Sequence, residues 1–150
     1  MGYTFNMPNL NTRMEKMVEE LTGNEALLQM LDTSAASEML DWGISTAKTM
    51  ISRTMEVDDL SAELAILPRL KAIRQSMRSI GNWAAGKYTD PESRAQLRDK
   101  LLQHFRTIFG ERRELPSVKQ MDDLLNQVND RNHTPHQLIV QLRDLLEQRG

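Results

Sequence analysis

Apolar residues recur along this chain at steps of three and four, and no stretch alternates as a strand would. Leu10, Met14, Met17, Val18 and Leu21 mark one face of a first helix that Gly23 can stop. Asn24 can cap a short second helix, Glu25 to Leu31. After the Asp32-Thr33-Ser34 break, Ser34 can cap a long third helix reaching Met55. Asp58 or Asp59 opens a fourth that runs to about Lys87. Pro68 lies inside it and should kink or divide it, because proline removes a backbone donor and clashes with the preceding turn. Asp90-Pro91 restarts the chain, with an N-cap and a proline at the first helical position, and Gly110 ends that fifth helix. Ser117 to Gln120 and Thr134 to Gln137 are capping boxes opening a sixth and a seventh helix. The expected fold is all-α: a compact bundle of six or seven helices with long central members. Residues 1–9 read as a loose N-terminal segment and 10–150 as a single helical domain.

The faces of the long helices carry more detail. Ala36, Leu40, Gly43, Ala47, Met50 and Thr54 follow one another in the third helix, widened by Met39, Ile44 and Ile51. The small residues at its centre would let a neighbouring backbone come close and place this helix mid-bundle. In the fourth helix Leu60, Leu64, Leu67, Leu70, Ile73, Met77, Ile80 and Ala84 form a seam, better suited to packing inside a bundle than to a coiled coil. Trp42 falls away from its helix's stripe, beside Ala35, Thr46, Thr49 and Arg53, and Trp83 falls at the edge of its seam. Tryptophan fills cores and also anchors interfaces, so both are candidates for either role. Ten methionines suit an irregular core or an adaptable binding surface.

Charge changes the picture. Residues 1–67 hold 4 basic and 11 acidic side chains, residues 68–113 hold 11 and 4, and the remainder 4 and 6. A total of −2 thus hides a strongly basic middle segment. Lys71, Arg74 and Arg78 stand at helical steps on one flank of the fourth helix. Arg94 and Arg98 stand on the face of the fifth that also carries Leu101, Phe105 and Ile108. A buried unpaired charge is very costly. These two arginines must therefore overhang the bundle, pair with carboxylates from the acidic N-terminal half, or hold an anion.

Candidate chemistry is sparse. There is no cysteine, which removes thiol catalysis, disulfides and cysteine-ligated metal. No apolar run reaches the roughly 18 residues of a membrane span. Asp130, His133 and His136 straddle the break at Thr134-Pro135, so one helical face cannot present all three. His104 reads as a surface residue. No phosphate-cradling glycine loop or nucleophile elbow occurs. The expectation is a non-enzymatic cytoplasmic protein without metal or cofactor, working by protein–protein contact as an adaptor, assembly factor or regulatory subunit, with a homodimer as one form. Its candidate interaction residues are Trp42, Trp83, Lys71, Arg74, Arg78, Arg94 and Arg98. Nucleic-acid binding through residues 68–113 is the weaker alternative, because stacking aromatics are few and no recognition motif stands out.

Overall fold

Local chemistry at the helix ends sets most of the architecture. The computed structural model describes residues 29–54, 59–110 and 113–147, and among these the chain forms five α-helices, a 3₁₀ turn and no strand. They are α1 (Thr33–Thr54), α2 (Asp59–Ala84), α3 (Pro91–Phe109), α4 (Val118–Leu125) with the 3₁₀ turn Asn126–Asn129 after it, and α5 (Pro135–Glu147). The expected first helix and the loose segment 1–9 lie outside the described residues. Of the expected second helix Gln29, Met30 and Leu31 are described; the first two are helical and Leu31 is a buried bend. No described helix is long and apolar enough to cross a membrane.

Both capping boxes form as the sequence predicts. Ser117 Oγ accepts from the Gln120 amide while the Ser117 amide donates to Gln120 Oε1. Thr134 and Gln137 exchange the same pair of bonds ahead of α5. Asp90 Oδ1 accepts from the Ser93 amide at 2.7 Å and caps α3, which Gly110 closes at φ +86° with its amide on Arg106 O. Two ends differ from expectation. The first turn of α1 is capped by Asp32, whose Oδ1 accepts from the Ala35 amide, rather than by Ser34. Helix α2 stops at Ala84, before Lys87, because Gly86 takes φ +81°. There the Gly86 amide donates to Trp83 O and the Lys87 amide to Asn82 O, the two bonds of a Schellman closure. Helix α2 also passes through Pro68 undivided.

Helix α2 occupies the middle, packing against α1, α3 and α5, while α4 bridges α3 and α5. The central place expected for α1 therefore belongs to α2. Small residues do bring the two together: a Cβ on Gly43 would sit 2.4 Å from Met77 Sδ. The core joins Met39, Trp42 and Ala47 of α1 to Leu70, Ile73, Met77, Ile80 and Trp83 of α2. Leu97, Leu101, Phe105 and Ile108 of α3 and Leu138 and Leu142 of α5 complete it. The buried face of α1 is rotated from the predicted stripe. Ala35, Met39, Trp42, Gly43 and Ala47 face inward, whereas Ala36, Leu40 and Ile44 are half-buried. The side chains of Met50, Ile51, Thr54, Leu60 and Leu64 lie outside the described set.

Candidate interaction surface

Both tryptophans belong to the interior, which corrects their candidacy as contact residues. Trp42 meets the Phe105 ring edge-on, with centroids 6.4 Å apart and planes at 69°. Trp83 is fully buried and donates from Nε1 to Leu125 O at 2.9 Å. An aromatic residue enclosed in this way cannot anchor a partner without unfolding.

The arginines divide by the way each is used. Arg94 is buried; its Nε donates to Asn126 Oδ1 at 2.8 Å and its Nη1 to Tyr88 O at 3.0 Å. Its partners are neutral oxygens rather than carboxylates, and they tie α3 to the loop before it and to the 3₁₀ turn. Arg98 is half-buried and donates from Nη1 to both oxygens of Asp122 at 2.9 Å, with Nε on Asp99. The hydrogen bonds it donates to Asp99 and Asp122 raise its pKa further above an already high value. The carboxylates it meets belong to α3 and α4, not to the acidic N-terminal half. The N-terminal half is joined to the end of the chain instead by an ion pair between Glu38 and Arg143. Arg113, within the basic segment, lies 4.3 Å over the Phe109 ring and donates to Leu146 O, near the carbonyl end of α5 where a cation is favoured.

Of the candidate cations, Lys71, Arg74 and Arg78 remain. All three are exposed, and among the described residues none of them makes an ion pair or hydrogen bond. They lie on the one narrow arc of α2 that its three neighbours leave open. Residues 70, 72, 73, 76, 77, 79, 80 and 81 are buried on the remaining arc. Leu67 belongs to the same open line, one turn before Lys71. It is 46% exposed, not part of the seam to which its spacing assigned it. At 1.5 Å per residue the line from Leu67 to Arg78 is about 16 Å long. Asp59 and Glu63, the two carboxylates of α2, precede Leu67, and between residues 68 and 89 there are 5 basic side chains and no acidic one. That absence is the sequence signal for the surface. The position of Leu67 at its head carried no such signal.

Two further places could hold a ligand. Met39, Trp42, Met77, Ile80, Ile139, Leu142 and Arg143 line a cavity of about 10 Å³, space for at most one water. Asn132, His133, His136, Gln137, Val140 and Gln141 line an open groove of about 280 Å³ at the start of α5. There His133 Nδ1 lies 3.3 Å from Asp130 Oδ2. Among the described residues no three histidine, aspartate or glutamate side chains converge as metal ligands would. His104 is half-buried rather than a surface residue. Burial, and then the Lys100 charge one turn earlier, lower its pKa. Comparison with protein-family models, curated proteins and solved structures returns no match.

Proposed function

We propose that this chain acts without catalysis, as a cytoplasmic adaptor, assembly or regulatory subunit, and that the cationic line on α2 is its contact surface for another protein. The observation that carries this is the unpaired state of Lys71, Arg74 and Arg78 on the solvent arc of the most enclosed helix, in line with an exposed leucine. Charges placed this way leave folding nearly unaffected, since exposed residues contribute little to stability. They steer encounter and select partners of opposite potential. Leu67 adds apolar area that water-facing lysine and arginine lack.

The same line could follow a nucleic-acid backbone. Support for that is thinner, because Arg94, Arg98 and Arg113 of the basic segment are engaged within the fold and the tryptophans are not available for stacking. The two readings part in a capture experiment from the protein's own cells. Full-length tagged chain is compared with its Lys71→Glu/Arg74→Glu/Arg78→Glu variant, each with and without nuclease. Proteins retained by the first and lost by the second, with or without nuclease, support the proposal. An identical set from both overturns it, and a set lost on nuclease treatment promotes the alternative.

A further inference from the structure

We infer that the partner of the α2 line is an acidic helical segment of a different protein, and not a second copy of this chain centred on the same three cations. This rests on the contact surface proposed above and specifies what occupies it. The open arc of α2 is narrow because α1, α3 and α5 cover the rest of the helix. Only a rod laid along it can reach Leu67, Lys71, Arg74 and Arg78 together over about 16 Å. A helix bearing carboxylates at steps of three and four, with an apolar side chain one turn from their end, has the same spacing. It would meet the two guanidinium groups in paired N–H···O bonds, the ammonium group as a point charge, and Leu67 by apolar burial.

A symmetric pair of α2 helices centred on the three cations fails on charge. A two-fold axis sets each patch against its own copy. With the axis near Arg74, that residue faces its own equivalent, and Lys71 faces Arg78 of the other copy. The stretch from 68 to 89 contains no carboxylate to separate them. Like charges brought together across a contact oppose it. The leucine argues against a phosphate backbone for the opposite reason, since it offers nothing to a phosphate.

The test titrates isotope-labelled full-length chain with two synthetic helical peptides of identical composition, followed by NMR shifts. In one peptide three glutamates and a leucine fall on one line; in the other they are scattered around the helix. The aligned peptide should move resonances of residues 67–82 and bind at least about fivefold more tightly than the scattered one. Arg74→Glu/Arg78→Glu should weaken it about tenfold or more, and Leu67→Ala a few-fold, with unchanged circular dichroism in both variants. The milder Lys71→Gln/Arg78→Gln variant serves if the reversal perturbs folding. Equal affinity for the two peptides, shifts confined to other helices, or no binding at millimolar peptide overturns the inference. So does a dimer in sedimentation that Arg74→Glu abolishes. If the peptides fail while the capture experiment still yields a partner that depends on the line, the broader proposal stands and only its acidic-helix form is lost. Failure of both removes the surface altogether.

Discussion

Replacing Trp83 with phenylalanine tests whether α4 and its 3₁₀ turn are held from a distance by one indole N–H. The residue is fully enclosed, and its Nε1 donates to Leu125 O across 42 positions of sequence. Phenylalanine keeps most of the ring but removes that donor. Leu125 heads the 3₁₀ turn, so its carbonyl keeps the Val128 amide, and losing the indole donor costs about 0.5–1.5 kcal/mol. The void left by the missing part of the indole, some 40 Å³ at about 24 cal/mol per Å³, costs about 1 kcal/mol more. The expected loss is therefore about 1.5–2.5 kcal/mol. For a chain of this length that corresponds to about 3–10 °C in Tm.

Urea unfolding followed by fluorescence reads the loss directly, because the variant keeps Trp42, also buried, as its sole indole. Hydrogen exchange gives the location. Amides of residues 126–129 should lose protection out of proportion to those of α1. A loss below about 0.5 kcal/mol, or protection reduced equally throughout, would refute the tether and leave Trp83 as filler.

Ala47, buried between α1 and its neighbours, should not accept leucine, and Ala47→Leu should lower stability by about 1–3 kcal/mol in the same urea assay. Ser76 is fully buried and its hydroxyl has no hydrogen-bond partner, so Ser76→Ala should leave stability unchanged or raise it by about 1 kcal/mol; a clear loss would mean the hydroxyl is satisfied. The pKa of His104 is lowered by burial, so its favourable neutral form is complete above the unfolded value near 6.5 and is lost as pH falls through that value toward the lower folded one. Stability should accordingly decline from pH 7.5 toward pH 5, and His104→Gln should flatten the decline measured by urea midpoints across that range.

Helix starts were legible because their chemistry is local. An N-cap and its partner sit within four residues, so Asp90, Ser117 with Gln120, and Thr134 with Gln137 could be read without knowing the fold. The missed stop at Gly86 shows the limit of that logic. Lys87 prolongs the helical charge pattern, and only the positive φ of one glycine ends it. The inward face of α1 was less legible. Trp42 is drawn inward by Phe105, a residue of another helix, and no period within α1 encodes that neighbour. The same holds for the arginines. Their spacing showed that Arg94 and Arg98 would crowd an apolar face, but the groups receiving them, Asn126 and Asp122, are set by how α3 docks on α4.

That docking also changes what the basic segment means. Counted along the sequence, residues 68–113 form one positive block. In space the block separates according to what surrounds each helix. Helix α3 lies against α4, so Arg94 and Arg98 are turned into a junction that supplies both neutral and ionised oxygens. Helix α2 lies among apolar faces, which offer a cation nothing, and Lys71, Arg74 and Arg78 stand on the arc left open to water. Burying α2 on three sides thus gathers Lys71, Arg74 and Arg78 into a line. The enclosure that removes Trp83 from the surface is the same one that concentrates these charges. A partner that reads the line is reading the packing of the core beneath it, and any variant that loosens α2, Trp83→Phe included, should blur that contact before it unfolds the chain.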